Sequence, residues 1–198
     1  MKTDMIRSAT VQDAEEILSI YKYYVENTAI TFECIVPTLE DFTGRIEKTL
    51  KKYPYLVAEQ DGEIIGYAYA GPLNVRQAFD WSVECSIYVK AGLQKKGLGR
   101  ALYTALENAL ALQNIIIVTA CIAYPEVEDE YLNKNSVQFH SHFGYKMVGE
   151  FHKCGFKFGR WYGMVWMEKF IAEHTVPPKP FKAFDEVRAE LFEKYDIK

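Results

Sequence analysis

Trp81-Ser-Val-Glu-Cys-Ser-Ile-Tyr-Val-Lys-Ala-Gly-Leu-Gln-Lys-Lys-Gly-Leu-Gly-Arg-Ala-Leu-Tyr103 decides the fold, because it reads as strand, glycine-bearing loop and helix in immediate succession. Val83, Cys85, Ile87 and Val89 alternate with Glu84, Ser86 and Tyr88, the period of two that gives a strand two different faces. Leu98, Ala101, Leu102, Ala105, Leu106, Ala109 and Leu110 then repeat at helical spacing and put one apolar stripe against a core. Between the two lies Gln94-Lys95-Lys96-Gly97-Leu98-Gly99-Arg100, where the helix begins. The first N–H groups of a helix have no intrahelical partner, so this turn is a ready cradle for phosphate oxygens. Glycine lets the backbone approach a ligand closely, and Lys95, Lys96 and Arg100 add positive charge. Gly92 and Gly97 have the spacing of a nucleotide P-loop, but Leu98-Gly99 stands where that motif needs Lys and then Ser or Thr. The Gly-x-Gly-x-x-Gly dinucleotide fingerprint is also absent. What remains is Gln-x-x-Gly-x-Gly after a strand, which as a bare pattern also fits a solvated basic turn.

Working outward, 198 residues suffice for one domain with a sizeable core, or for a domain plus an appendage. With 49% apolar and 25% charged residues the composition is that of an ordinary folded protein. A formal net charge of −4 argues against a general nucleic-acid binder while leaving room for a local basic loop. Cys34, Cys85, Cys121 and Cys154 show no C-x-x-C spacing, and Cys85 and Cys121 sit in apolar runs, as reduced core thiols do. No run approaches the roughly 20 apolar residues of a membrane span, and no signal-peptide hydrophobic region opens the chain. The cytoplasm is therefore the expected location.

The order of elements follows from the same rules. Met5 to Ala9 is a short strand, and Thr10 with Asp13 resembles a capping box before a helix ending near Asn27. Thr31-Phe32-Glu33 is an aromatic turn, and Thr38 starts a second helix running to about Lys52. Tyr55 to Glu59 and Ile64 to Ala70 are strands joined by Asp61-Gly62, a hairpin signal. Gly71-Pro72 is expected to break the second of them, and Leu73 to Asp80 is a loop. After the central unit, Ile115 to Ile122 is continuously apolar, as a parallel neighbour buried on both faces should be. Asn133 to Phe143 is expected to be helical with Gly144 as its C-cap. Tyr145 to His152 and Tyr162 to Phe170 are the closing strands, separated by 153–160. The proline run Val176 to Pro180 is a stiff linker, and Phe184 to Tyr195 a short helix docked on the surface. The expected division is a domain over 1–171 and a linker with its helix over 172–198.

This order, with Gln94-x-x-Gly97-x-Gly99 as a pyrophosphate loop, resembles the GCN5-related N-acetyltransferases. The local strings are similar to the phosphinothricin N-acetyltransferase branch: Thr31-Phe32-Glu33, Gly71-Pro72, Phe79-Asp80-Trp81, Val83-Glu84-x-Ser86-Ile87-Tyr88-Val89, Asn133-x-x-Ser136-x-x-x-His140 and Lys157-Phe158-Gly159-Arg160-Trp161. The likeness runs from about Met5 to Phe170. It implies an α/β fold of the acyl-CoA N-acyltransferase type: a central mixed, mostly antiparallel sheet with a splayed parallel pair, flanked by helices. It also implies acetyl-CoA as cosubstrate, no metal, and direct transfer of acetyl to a small amine in a ternary complex.

By that resemblance Glu84 is the base that takes the amine proton, a role the chemistry requires because most free amines are protonated at neutral pH. Ile87, Tyr88 and Val89 hold the thioester arm, and Lys95, Lys96, Gly97, Leu98, Gly99 and Arg100 the pyrophosphate. Asn133 and Ser136 contact coenzyme A from the other wall, although both are also good helix caps. His140 stands where many relatives place a tyrosine that protonates the departing thiolate; as a residue it is equally a packed helix histidine. Phe32, Arg76, Phe79 and Ser86 join Glu84 on the acceptor side, where the Arg76 guanidinium suits a carboxylate or phosphinate. The pattern departs from the herbicide-detoxifying one at Asn74, in place of a basic residue, and at Phe79, in place of a tyrosine. Phosphinothricin, methionine sulfone, methionine sulfoximine and other small amino acid derivatives all stay admissible. The Lys157 to Trp161 string reads as a hairpin packed on Phe158 and Trp161 or, by the resemblance, as part of a homodimer contact, and a homodimer is the expected assembly. Cys85, on the strand face opposite Glu84, is not expected to form an acetyl-enzyme. Two rivals remain: a protein or peptide N-acetyltransferase, which needs an open groove, and a non-enzymatic coenzyme A sensor, which needs the loop but not Glu84.

Overall fold

The computed structural model describes residues 5–94 and 97–197. Its strands are β1 (Met5–Ser8), β2 (Tyr55–Gln60), β3 (Glu63–Pro72), β4 (Ser82–Val89), β5 (Ile117–Tyr124), β6 (Lys146–Lys157) and β7 (Arg160–Phe170). Its α-helices are α1 (Ala14–Asn27), α2 (Leu39–Leu50), α3 (Leu98–Leu112), α4 (Asn135–His142) and α5 (Phe184–Tyr195). The strands form one sheet in the order β1-β2-β3-β4-β5-β7-β6, antiparallel throughout except for the β4–β5 pair. This is the expected mixed sheet.

Both faces of the sheet are covered, which the alternation within single strands explains. In β2, Tyr55 and Val57 face α1 and α2, packing with Ile17, Tyr21, Phe42 and Ile46. Leu56 and Ala58 face the other way, into the core built on α3 and α5. The same split runs through β4: Cys85, Ile87 and Val89 join the α3 side, Tyr88 the α1 side. Side chains on a strand point alternately to opposite faces, so one eight-residue strand can serve two cores.

Several ends differ from expectation. Gly71-Pro72 does not break its strand: both pair with β4, Gly71 opposite Glu84 and Pro72 opposite Val83. Proline is tolerated there because it is the last residue of the ladder. Helix α4 starts at Asn135, two residues late, because the Asn133 side chain turns back and accepts the Asn135 N–H at 3.0 Å. Most of 153–160, expected as a loop, is strand, and the hairpin turns on Phe158 and Gly159 alone, at φ 50° and 74°. Two consecutive positive φ values are what a tight two-residue hairpin needs. Helix α5 lies against the domain with one face inward. Phe184, Val187 and Leu191 are buried in the main core beside α3.

Candidate active site

The site begins where strand pairing fails. β4 and β5 are in register at Ser82–Ile117, Val83–Val118 and Glu84–Thr119, and there the ladder ends. Parallel neighbours that separate midway leave a wedge between them, and backbone groups along the wedge are free for a ligand. At the fork, Thr119 Oγ1 donates to the Val83 carbonyl at 3.0 Å. Beyond it lies a cavity of about 60 Å3 lined by Cys85–Tyr88 on one side and Ala120–Ala123 on the other. Tyr103, Ser136 and His140 close it from the helices, and Ile30 and Leu132 from the loops.

Glu84 is the last paired residue before the fork and is half-buried. Burial lifts its carboxyl above the ordinary glutamate range, since desolvation disfavours the charged form. The Cys121 thiol, on the cavity wall, is pushed up to about 12 by burial, then by the charges of Glu84 and Cys154. Cys85 is fully buried and raised by the same cause, which keeps it a thiol. Ser86 pairs with Tyr69 across the β3–β4 ladder, on the tyrosine-rich face that also holds Tyr21 and Tyr88.

His140 is 3% exposed. Its Nδ1 lies 2.7 Å from the Ser136 carbonyl, an acceptor only, so Nδ1 carries the proton. Nε2 is therefore bare and accepts the Tyr103 hydroxyl at 2.9 Å. Burial holds the imidazole down at about 4, so it is neutral at ordinary pH.

At the other end of β4, Gly97 caps α3 at φ 86°, a left-handed conformation that favours glycine. The first turn of α3 holds no acid, and Arg100 is exposed there. Leu98 is buried under the helix, and Gly99 packs so near Phe139 that a Cβ would stand 3.3 Å from its ring. Gln94 braces the loop: its Oε1 accepts the Gly92 N–H at 2.9 Å, and its Nε2 donates to the Tyr24 hydroxyl at 3.3 Å. Tyr24 in turn donates to the Val89 carbonyl, so α1, the end of β4 and the loop are tied together. Lys95 and Lys96 lie outside the described residues. A bare helix N-terminus and a narrow wedge with backbone walls suit the two ends of acetyl-CoA, its diphosphate and its thioester. Among the described residues no group of His, Cys, Asp and Glu is arranged to hold a metal, and no helix is long and apolar enough to cross a membrane.

The residues expected on the acceptor side are less concentrated. Phe32 packs face-on over Gly155 of β6. The turn carrying it is held by Lys157, a 5% exposed lysine whose Nζ donates to the Thr31 carbonyl at 2.9 Å. Arg76 and Phe79 sit in the exposed loop before β4. Arg76 uses its backbone N–H to bond Asn74 Oδ1 at 3.1 Å, and its guanidinium has no ion-pair partner among the described residues. Asn133 is exposed beside α4, while Ser136 reaches the cavity. The sequence gives Tyr103 no role, Cys121 only that of a core thiol, and Lys157 only a place in the closing string. A tyrosine inside an apolar helical stripe is a signal that could mark Tyr103, because a buried hydroxyl needs a partner.

The comparisons with known proteins agree with this geometry. An acetyltransferase (GNAT) domain model matches residues 6–166. The chain is 34% identical to a phosphinothricin N-acetyltransferase of Streptomyces viridochromogenes over 183 residues, 92% of this chain and 95% of that one. It is 31% identical to an L-methionine sulfoximine/L-methionine sulfone acetyltransferase of Salmonella typhimurium, covering 87% and 97%. Among solved structures, a GNAT superfamily phosphinothricin acetyltransferase from Sinorhizobium meliloti in complex with acetyl-CoA superposes with a TM-score of 0.80 at 29% identity, covering 91% and 95%.

Proposed function

Because the chain belongs to the GNAT acetyltransferase family, and so is an acetyl-CoA-dependent N-acetyltransferase, we propose that its acceptor is a small amino-acid-like amine of the phosphinothricin or methionine sulfone and sulfoximine type. The observation that carries this reading is the wedge between β4 and β5, which opens directly after Glu84. It supports a thioester arm laid along the backbone of Ile87, Tyr88 and Val89, with the diphosphate on Gly97 to Arg100 and on Lys95 and Lys96. Ser136 and Asn133 belong to the opposite wall.

Glu84 then receives the ammonium proton, directly or through water. Its raised affinity for a proton brings it nearer to the amine it must serve, which is what a general base at neutral pH requires. Phe32, Ser86, Phe79 and Arg76 serve the acceptor, Arg76 through a guanidinium with no ion-pair partner among the described residues. His140 stands at the leaving-group side. The acetyltransferase domain spans 1–171, with 172–198 as a clamp packed on it.

The protein works in the cytoplasm as a homodimer. The dimer is supported by an edge strand, β6, that among the described residues pairs only with β7 and exposes Met147, Val148, Phe151 and Phe156 beside Trp161. Apolar side chains on an uncovered sheet edge call for a partner.

The test is release of free thiol from acetyl-CoA against a panel of phosphinothricin, methionine sulfone, methionine sulfoximine, ordinary amino acids, polyamines and a basic peptide. Turnover confined to the amino acid analogues is the expected result. Turnover on the peptide would move a protein N-acetyltransferase into first place, and silence with acetyl-CoA still bound would favour the sensor.

A further inference from the structure

Tyr103 lies in mid-α3, is 1% exposed, and is placed with its hydroxyl on His140 Nε2 at 2.9 Å. Both residues line the cavity between β4 and β5. Glu84 and the coenzyme A contacts give Tyr103 no task and leave His140 at the leaving-group side with no proton to give, yet the reaction has a proton left over. An amine that enters as an ammonium sheds two protons on the way to an amide. Glu84 accounts for the first, before attack. The second must leave the nitrogen once it has bonded to carbon, and the sulfur needs a proton as it departs.

Neither residue can serve alone. The His140 Nδ1 proton is committed to the Ser136 carbonyl at 2.7 Å, and Nε2 has none to give. Tyr103 alone would be left as a buried phenolate, a form that its burial strongly disfavours. Together they have one movable proton and one vacant lone pair, side by side on the cavity wall.

We propose that Tyr103 and His140 form a relay that carries the second amine proton from nitrogen to sulfur. This rests on the acetyl-transfer reading above. The C–N bond forms and the C–S bond breaks, its electron pair staying on sulfur. The Tyr103 oxygen takes the proton from nitrogen while its own passes to His140 Nε2, and the Ser136 carbonyl steadies the imidazolium through Nδ1–H. The return movement sends a proton from Nε2 to the Tyr103 oxygen as that oxygen releases one to sulfur. One proton has moved, both residues are restored, and no other reactant is consumed. An imidazolium whose pKa is about 4 is a far stronger acid than a thiol, so the return is downhill. The rings are held for this by their neighbours, Tyr103 against Phe139, Phe143 and Tyr145, and His140 against Phe139 and Tyr145.

The experiment compares Tyr103→Phe, His140→Gln and the double variant with the unaltered enzyme. Tyr103→Phe keeps the ring packing and removes only the hydroxyl. Each single change is expected to lower kcat about 10²- to 10⁴-fold with KM for acetyl-CoA unchanged, the scale of one general acid–base group. The double variant should be no worse than the poorer single one, because a broken relay cannot be broken twice. Ring 15N NMR of the ligand-free protein supplies a readout independent of turnover. Nδ1 should be protonated and Nε2 not, and Tyr103→Phe should move the Nε2 signal toward that of a free lone pair. A protonated Nε2, an unimpaired Tyr103→Phe, or losses that multiply in the double variant would overturn the relay and leave acetyl transfer standing. An unaltered enzyme without turnover on any amine would bring down both.

Discussion

At the scale of single residues, position relative to the fork decides chemistry. Glu84 is the last residue of the β4–β5 ladder, so its carboxylate stands at the entrance to the wedge yet is half-buried by the sheet around it. No cation pairs with it among the described residues, and burial alone raises its pKa. A carboxyl whose folded pKa is raised favours the folded state while protonated, and that advantage is lost as pH rises through the folded value. At neutral pH the charged Glu84 therefore costs stability, a cost that the proposed role of general base would explain. Glu84→Gln should lose about 10²- to 10³-fold in kcat. It should also melt at a higher temperature than the unaltered enzyme at neutral pH, with the difference shrinking as the medium is acidified below the glutamate range. Thermal melts at both pH values, beside acetyl-CoA turnover, read the two effects. Unchanged turnover, or a stability gap that widens in acid, would remove Glu84 from the role. The alternation of the Val83–Val89 string made the face of Glu84 legible in the sequence. The bond between Tyr103 and His140 was not, because it joins residues 37 positions apart on two helices.

Among the elements, the β6–β7 hairpin was the least legible, and it touches the turn that carries Phe32, proposed for the acceptor side. A two-residue irregularity lies between Phe151 and Gly155, with Lys153 at φ 48°, and a one-residue bulge lies between Met147 and Gly149. An extra residue of that kind resets the period of two on which strand reading depends. The outer strand is also exposed almost throughout, so burial imposed no alternation on its sequence. The hairpin and the Thr31–Glu33 turn are fitted to one another. Lys157 bonds the turn through the Thr31 carbonyl, and Gly155 leaves room for the Phe32 ring. A Cβ at Gly155 would lie 2.6, 2.8 and 2.8 Å from three Phe32 ring atoms, closer than carbon contacts allow. Gly155→Ala must therefore displace Phe32 without touching the phosphate loop. We expect KM for the acceptor amine to rise severalfold, with acetyl-CoA affinity unchanged, by steady-state kinetics and acetyl-CoA titration. Equal weakening of both substrates would mean that the hairpin supports the whole fold rather than the acceptor wall.

For the molecule as a whole, the question is what keeps one sheet open in its middle. The wedge between β4 and β5 removes ladder bonds from the centre of the fold, so α3, which packs across that region, needs support from behind. The tail supplies it. The Trp81 indole donates to the Lys179 carbonyl at 2.7 Å, and Asn114 Nδ2 to the Pro180 carbonyl at 2.7 Å. The buried Gln113 amide donates to the carbonyls of Lys52 and Lys182, both at 2.8 Å. These bonds fasten the linker to the start of β4, the end of α3 and the end of α2, and deliver α5 onto α3. The proline run reads as a stiff linker in the sequence. Its destination depends on carbonyl acceptors that carry no mark in the sequence. If the clamp belongs to the core, Leu191→Ala should lower global stability by about 2–5 kcal/mol, the range for deleting a buried leucine side chain. The urea midpoint should fall in a single transition with an unchanged slope, since the same surface is exposed on unfolding. A separate early transition for the tail, with the main midpoint unmoved, would instead make α5 an independent appendage and leave the open sheet to be held by its own strands.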